Sequence, residues 1–476
     1  MSKQSTETML KFIGIDGEMP AKRDAKIRAE DFGEIYADYI KSKAKEQSSR
    51  CSQCGVPFCQ SGCPLQNNIP DWLYLSAEGR LKEAYQLSAQ TNSMPEICGR
   101  ICPQDRLCEG ACVIEKSGHG SVTIGAIEKT LTDNAWENGW VAPLKPVSER
   151  GLSVGIIGAG PAGLAAAEAL REQGWQVSVY DRHDRAGGLL MYGIPNFKLD
   201  KKIVERRIDH LKDGGVEFVL NTNVGTDISF NELRKKHAAI LVATGVYKSR
   251  ALQVPGCGVE GVIEALPYLT NSNKLGLGDK VKMDTAQGKH VVVIGGGDTA
   301  MDCVRTAVRQ KAKSVTCLYR RDQANMPGSA RETQNAMDEG VNFEWLAAPQ
   351  SIHDKDGQVT KVRAVRMRLG LPDKSGRQIV TPIKGAEFDV KANMVIQALG
   401  FTPENMGGLN TDIKLTDYGT IKAHPTKFET NVPGVYAAGD IVRGASLVVW
   451  AIREGRDAAA AMHQYLIEQT TQIAAE

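Results

Sequence analysis

The sequence predicts a doubly wound α/β protein preceded by a helical, cysteine-rich region, and three observations support this fold class. Strand and helix signals alternate from about residue 151 to the C-terminus, as they do in parallel-sheet α/β domains. Two segments of that part share a strand, a glycine-rich turn and a helix. Eight of the 11 cysteines lie between Cys51 and Cys112. At about 150 residues per domain, the 476 residues suggest three domains.

The composition excludes several classes of protein. Hydrophobic residues make up 42% of the chain and charged residues 24%, which is ordinary for a globular protein. A formal net charge of +2 gives no field that would recruit nucleic acid or an anionic membrane. The first residues lack the apolar core of a signal peptide, and the apolar stretch after Ser153 is interrupted by glycines. We therefore expect a cytoplasmic protein without nucleic-acid or membrane partners.

The N-terminal part of the chain is predicted to be helical. Five apolar residues recur at offsets 0, 3, 4, 7 and 8, which indicates one face of a helix: Phe32, Ile35, Tyr36, Tyr39 and Ile40. A second helix is expected to start near Pro70, because proline fits the first helical turn. Residues 140–151 carry two prolines and are predicted to be a linker.

The first glycine-rich turn has the pattern GxGxxG between a buried strand and a small-residue helix. Gly158 permits the tight turn, Gly160 lets a pyrophosphate approach the backbone, and Gly163 lets the helix lie close to the strand. The next strand ends at Asp181, 23 residues after Gly158, where a carboxylate can accept hydrogen bonds from a ribose. This order of elements predicts a dinucleotide site, and a purely structural glycine turn is the alternative.

The second glycine-rich turn is a GxGxxA variant, whose candidate cofactor residues are Gly295, Gly297, Asp298 and Thr299. The strand that follows it ends in Arg320 and Arg321 instead of an acid. Guanidinium groups bind a phosphate dianion in a bidentate manner, so they favour the 2′-phosphate of NADPH over NADH. The neighbouring Asp322 opposes this interpretation, and two arginines on a solvated strand end are the alternative.

One acidic and one basic site in the same chain predict FAD at the first and NADPH at the second. Three further segments agree with a flavin site and contain Gly188, Leu189, Thr244, Gly245, Gly439 and Asp440; the last of them resembles the ribityl-binding turn of two-dinucleotide flavoproteins. Because these segments bracket the second turn, we expect two Rossmann-like domains, with the NADPH domain at 255–400 inserted into an FAD domain split into 151–254 and 401–476. Residues 1–145 would form the helical N-terminal domain.

The cysteines fall into two groups: Cys51, Cys54, Cys59 and Cys63, then Cys98, Cys102, Cys108 and Cys112. In a reducing compartment clustered thiols bind metal more often than they form disulfides. Bacterial 4Fe–4S proteins use C-x2-C-x2-C-x3-C-P, in which the fourth cysteine ligates the other cluster. By analogy, Cys63 would join the last three thiols of the second group. The other three thiols of the first group would then need a fourth ligand, for which Cys98 and Glu128 are candidates. Two four-cysteine zinc sites are the alternative.

Four segments together resemble the small (beta) subunit of bacterial NADPH-dependent glutamate synthase: residues 51–60, 97–110, 295–303 and 437–453. The resemblance covers nearly the whole chain. The same architecture occurs in the N-terminal half of dihydropyrimidine dehydrogenase, where a glutamine that ligates a cluster stands at the position of Glu128. That resemblance favours Glu128 over Cys98 as the fourth ligand.

The resemblance implies an electron-donating subunit. NADPH would reduce FAD, and electrons would leave through two 4Fe–4S clusters to a large (alpha) FMN subunit that makes L-glutamate from L-glutamine and 2-oxoglutarate, so a hetero-oligomer is expected. Ser2 follows the initiator methionine, so an N-terminal cysteine nucleophile is not expected, and the cofactor modules leave no stretch of about 250 residues for a TIM barrel. Glutamate synthesis by this chain alone is therefore not expected.

Hydride transfer to a flavin requires stacking and not an acid or base, so no catalytic side chain is predicted. Residues from Ser446 to Trp450 are predicted to open a helix that faces the flavin, although the same run could be core. A ferredoxin-type reductase with another acceptor and a zinc-stabilised adaptor remain alternatives. A thioredoxin-reductase-like enzyme is disfavoured because no CxxC follows Cys112.

Overall fold

The structure, a computed structural model, describes residues 8–374, 376–406, 409 and 412–475, with side chains in the last helix up to Thr471. A run of short helices precedes two five-stranded parallel sheets, each flanked by helices. This is the predicted fold class. Within the described residues, no helix is both long and apolar enough to cross a membrane.

The N-terminal part is helical, as predicted. Its α-helices are Ala25–Arg28, Lys41–Ser48, Phe58–Gly62, Ile69–Ala77, Leu81–Ala89, Pro95–Ile101, Val113–Lys116 and Ile124–Glu137, with 3-10 turns at Lys11–Ile13 and Gln104–Arg106. The helix expected near Pro70 is confirmed, and the proline lies in its first turn.

The helix predicted for residues 32–40 is wrong. This segment pairs with residues 21–23 through an antiparallel bridge, in which the Arg23 amide donates to the Ile35 carbonyl (2.9 Å). Ile35 and Tyr39 are still buried, and the Tyr39 hydroxyl lies 3.0 Å from the Thr123 hydroxyl. Only two of the five apolar residues are therefore buried, and Ile40 is exposed. Backbone pairing with residues 21–23 replaces the helical hydrogen bonds.

The first sheet contains strands from both ends of the α/β part. Its spatial order is Val435–Ala437, Ala239–Val242, Ser153–Ile157, Gln176–Tyr180 and Glu217–Val219, all parallel. Its flanking helices are Pro161–Glu172, Leu189–Tyr192, Lys201–Asp213, Phe230–Lys236, Asp440–Arg443 and Val448–Ala475. The sheet is thus completed only after the chain returns from the second sheet.

The second sheet lies between these two halves in sequence. Its spatial order is Val262–Glu264, Met394–Gln397, His290–Ile294, Ser314–Tyr319 and Asn342–Trp345, with helices Ala265–Gly276, Asp298–Arg309 and Ala330–Asp338. An antiparallel unit of Ala347–Lys355, Gln358–Pro372 and Gln378–Lys391 follows. The two crossings between the sheets pair with each other as Lys248–Ser249 and Phe401–Thr402.

Three strands of the first sheet end at one place, where Gly158, Ala243 and Ala438 follow them. Ligands of open α/β sheets bind at this carboxyl edge. The long Val448–Ala475 helix packs closely on the Pro161–Glu172 helix. Glycine at position 455 permits this approach, because a Cβ there would lie 2.2 Å from the Ala162 carbonyl oxygen. Its first residues therefore stand beside the same edge.

Candidate active site

The first glycine turn has the geometry that the sequence predicts. Gly158 has φ of 107°, and a Cβ on Gly163 would lie 1.9 Å from the Gly158 carbonyl oxygen. Both positions are therefore closed to any other residue. Gly160 differs: apart from its adjacent residues and the backbone of its own helix, no atom of the described residues lies within 4 Å of the position that a Cβ would occupy. The open side of Gly160 faces space that a ligand can fill.

Asp181 stands at the end of the second strand, as predicted, and is 8% exposed. Its carboxylate accepts hydrogen bonds from the Ala159 amide (2.8 Å), the His183 amide (2.8 Å) and His183 Nδ1 (2.9 Å). Burial raises the pKa of Asp181, but these hydrogen bonds outweigh it and leave the pKa below its ordinary value. The charged carboxylate therefore fixes the glycine turn and also borders the cleft.

Two adjoining clefts, with about 1140 Å³ and 1020 Å³ of empty space, share this edge of the sheet. Their common residues are Gly158, Asp181, Thr244, Gly245 and Tyr247. The Thr244 hydroxyl is buried and has no hydrogen-bond partner among the described residues. An elongated pair of clefts with an unpartnered hydroxyl between them fits an extended dinucleotide such as FAD.

The remaining predicted flavin residues converge here. Gly188 packs against Gly160, where an added Cβ would lie 2.8 Å from the Gly160 Cα, and Leu189 lines the larger cleft. Asp440 also lines that cleft, and burial raises its pKa to about 7. The amide of Gly439 is already engaged by Glu454 Oε2 (2.9 Å). The long helix begins at Val448, so Ser446 precedes it, but both residues line the cleft.

The second glycine turn repeats the geometry of the first. A Cβ on Gly295 would lie 2.3 Å from the Ala398 carbonyl oxygen, whereas Gly297 has no described neighbour within 4 Å of its Cβ position. Asp298 and Thr299 line the larger cleft of the first turn. The two dinucleotide turns therefore open towards one shared space.

The two arginines differ in their surroundings. Arg320 is exposed, whereas Arg321 is 7% exposed and donates from Nε to the Gln378 carbonyl oxygen (3.1 Å). Asp322 accepts hydrogen bonds from the amide and side chain of Asn325 (3.0 and 2.6 Å). The Asp322 carboxylate, whose place in the sequence argues against phosphate binding by the two arginines, therefore accepts hydrogen bonds within its own turn.

One group of thiols surrounds a cavity with about 380 Å³ of empty space, and its potential ligands are Cys63, Cys98, Cys102, Cys108 and Glu128. We call this group the inner set. Oε1 of Glu128 accepts hydrogen bonds from Asn92 (3.1 Å), Asn67 (3.5 Å) and Ser88 (3.5 Å). Burial raises the pKa of Glu128 to about 8. All 11 cysteines are free.

The other group comprises Cys51, Cys54, Cys59 and Cys112, which we call the outer set. None of these four thiols lines the cavity of the inner set. Burial raises the pKa of Cys51 to about 11 and that of Cys59 to about 12. Cys54 and Cys59 are only partly buried. In the described ranges, no three His, Cys, Asp or Glu side chains are close enough to hold one metal ion. A 4Fe–4S cluster spaces its ligands more widely, because irons and sulfides lie between them.

This partition differs from the one expected by analogy, which grouped Cys112 with Cys63 and left Cys98 and Glu128 to the first group. Cys112 does not line the cavity that Cys63 lines, although the residues before them are close: a Cβ on Gly62 would lie 2.8 Å from the Ala111 Cβ. A close backbone contact explains why Cys98 and Glu128 lie together. A Cβ on Gly99 would lie 2.6 Å from the Lys129 amide, so the residues next to Cys98 and Glu128 touch.

A wall one residue thick separates the larger cleft from the inner set. Ile101 and Pro103 line the cleft, whereas Cys102 between them lines the cysteine cavity. On the facing helix, Val448 lines the cleft and Val449 lines the cavity. Sequence reasoning predicts Cys102 as a ligand and the run from Ser446 to Trp450 as facing the flavin, but it misses Ile101 and Pro103 and the contact between the two segments, because no motif marks a position that two distant segments share.

Comparison with known proteins agrees with this architecture. Residues 28–140 match the family described as dihydropyrimidine dehydrogenase domain II, 4Fe-4S cluster, and residues 152–455 match the pyridine nucleotide-disulphide oxidoreductase family. Mycobacterium tuberculosis FprA in complex with NADPH superposes with a TM-score of 0.58 at 20% identity, over 68% of this chain and 86% of that one, which supports the fold. Fold and site thus define an NADPH-dependent flavin oxidoreductase with an N-terminal iron–sulfur domain.

Proteins similar in sequence to this chain narrow the class of oxidoreductase to one family. The glutamate synthase [NADPH] small chain of Azospirillum brasilense is 60% identical over 469 residues, which is 97% of each chain. The putative oxidoreductase AegA of Escherichia coli is 45% identical over 94% of this chain and 69% of its own length. The chain belongs to the family of glutamate synthase small chains.

Proposed function

We propose that this chain oxidises NADPH and donates electrons to a large (alpha) glutamate synthase subunit, which carries FMN and makes L-glutamate from L-glutamine and 2-oxoglutarate. The observation that carries the proposal is the wall one residue thick between the flavin cleft and the inner set. A hetero-oligomer in the cytosol is the expected setting.

The proposed cofactor residues follow the two turns. FAD would be held by Gly158, Gly160, Gly163, Asp181, Gly188, Leu189, Thr244, Gly245, Gly439 and Asp440, and NADPH by Gly295, Gly297, Asp298, Thr299, Arg320 and Arg321. When bound, FAD takes electrons from NADPH as a hydride and releases them singly to one-electron carriers. Apolar side chains such as Ile101, Leu189 and Val448 border the cleft and limit the access of water to it.

We propose two 4Fe–4S clusters. The inner set would supply Cys63, Cys102, Cys108 and either Glu128 or Cys98, and all four thiols of the outer set would hold the second cluster. The inner set borders the flavin cleft, whereas the outer set contains partly exposed thiols, so electrons would leave the chain at the outer set. The domain bounds proposed above, 1–145, 151–254 with 401–476, and 255–400, divide the chain accordingly.

The fourth ligand of the inner set can be tested with Glu128→Gln. If Glu128 is the ligand, the neutral amide should raise the reduction potential of one cluster without loss of iron, because the potential depends on the charge around the cluster. Redox titration followed by EPR measures this. Glu137→Gln, an exposed carboxylate on the same helix, is the matched control. An unchanged potential together with iron loss in Cys98→Ser would assign Cys98 instead.

Preference for NADPH can be tested with Arg320→Ser, alone and combined with Arg321→Ser. Hydrogen bonds to a charged group contribute about 1.5–3 kcal/mol, so KM for NADPH should rise about tenfold or more while KM for NADH changes little. Steady-state kinetics with both nucleotides measures this. The exposed Arg234→Ser serves as control, and equal effects on the two nucleotides would contradict a role at the 2′-phosphate.

The function itself is tested on anaerobically purified protein. We expect one FAD and about eight iron and eight sulfide per chain, bleaching of the flavin by NADPH, and a large FMN subunit that co-purifies. A colourless chain, or a flavin that NADPH does not bleach, would contradict the proposal.

A second candidate keeps the chemistry and changes the acceptor. The 45% identity to the larger AegA oxidoreductase favours it, because the same module occurs there within another protein. A stable lone chain that reduces a ferredoxin would support this alternative, and tight association with the FMN subunit would exclude it.

A further inference from the structure

The segment around Phe197 and Lys198 belongs to the part of the chain that builds the first sheet, and it contacts helices that flank the second sheet. Phe197 is 1% exposed, and its ring centroid lies 4.5 and 3.9 Å from the guanidinium carbons of Arg305 and Arg309. The next residue, Lys198, contacts the same Asp298–Arg309 helix. The segment therefore anchors one dinucleotide-binding unit on the other.

Lys198 makes two ionic contacts across this boundary. Its Nζ lies 2.9 Å from Oδ1 of Asp302 on the Asp298–Arg309 helix and 3.8 Å from Oε2 of Glu332 on the Ala330–Asp338 helix. The side chains of Lys198, Asp302 and Glu332 are only 10%, 8% and 12% exposed. Solvent screening is therefore weak, and removal of one partner leaves a buried charge uncompensated.

The pair also lies at the site of the proposed reaction. Lys198 and Asp302 both line the larger cleft, together with Asp298 and Thr299 from the start of the same helix. Among the described residues that line this cleft, Lys198 is the only lysine or arginine, beside four aspartates. No other ion pair between the two units in the described ranges has both of its partners in the cleft wall.

We propose that Lys198 is a positioning residue for hydride transfer, because through Asp302 it holds the NADPH-binding helix against the flavin cleft. The inference rests on the proposed reduction of FAD by NADPH. Hydride transfer requires the reacting atoms to approach within about 3–3.5 Å, so a small rotation of one unit on its two extended crossings would slow it.

The test uses Lys198→Met, Lys198→Arg and Asp302→Asn in the full chain with its cofactors. We expect Lys198→Met and Asp302→Asn to slow flavin reduction by NADPH about 10- to 100-fold in stopped-flow experiments. Both should weaken the long-wavelength absorbance of the flavin stacked on nicotinamide, with FAD and iron content unchanged. Lys198→Arg should restore at least part of the rate. The double variant should be no slower than the slower single variant, because both changes remove the same contact between Lys198 and Asp302.

A matched control breaks another ion pair between the same units. Asp279→Asn removes one of the two carboxylate partners of Arg185 (2.7 Å), and the other, Asp184, remains (2.9 Å). Arg185 and Asp279 lie outside the cleft wall, so this variant should leave rate and absorbance unchanged. Wild-type rates and absorbance in both Lys198→Met and Asp302→Asn, or additive slowing in the double variant, would overturn the inference. If Lys198→Met does not fold, Asp302→Asn and Lys198→Arg decide by the same two measurements. Failure of NADPH to reduce the wild-type flavin would instead refute the proposed function.

Discussion

Gly160→Val is expected to abolish FAD binding while the chain remains folded. Gly160 has φ of −79° and ψ of −177°, which a valine adopts readily, and no described neighbour obstructs its Cβ. A valine at the N-cap costs about 1 kcal/mol of helix stability, which a protein of this size tolerates. The added methyl groups would instead occupy the space beside the helix N-terminus, where the pyrophosphate is expected.

The measurements are FAD per chain, expected to fall from about one to below about 0.1, and the circular dichroism of the apoprotein, expected to stay unchanged. Gly297→Val is the matched variant, because Gly297 holds the same place in the second turn with φ of −90° and an equally open Cβ direction. It should retain FAD and lose reduction by NADPH. Normal FAD content in Gly160→Val would show that the flavin does not approach this turn.

Cys108→Ser is expected to stop electron exit while reduction of the flavin by NADPH continues. Cys108 lines the cavity of the inner set, which borders the cleft proposed for the flavin. A serine hydroxyl is a poor substitute for thiolate, so iron should fall by about half. Transfer to the proposed large subunit should fall about 100-fold or more, whereas flavin bleaching by NADPH should stay within about twofold.

Iron analysis, stopped-flow bleaching and coupled glutamate formation measure these three quantities. Cys257→Ser is the control, because Cys257 lies in neither set and is similarly free. Full iron content in Cys108→Ser would remove this residue from the ligand set. Loss of FAD in the same variant would indicate a folding role.

The sequence alone determined the parts whose geometry is local. Gly158, Gly163 and Gly295 must be glycine because backbone atoms a few residues away, or on the adjoining strand, occupy the place of a Cβ, and spacing reveals this. The start of the helix near Pro70 could equally be predicted from the sequence, because proline fits the first helical turn. The structure of residues 32–40 could not be predicted in this way, since an apolar pattern alone does not distinguish a helix from a paired extended segment.

Only the tertiary structure decided which thiols stand together. The inner set draws on residues from 63 to 128, and two of its members, Cys98 and Glu128, meet because Gly99 lets the two backbones touch. The same holds for the wall at Cys102 and for Lys198, whose partner Asp302 lies on a helix 104 residues further along the chain. Such contacts depend on how elements that are distant in sequence pack against each other, and no local periodicity encodes that packing.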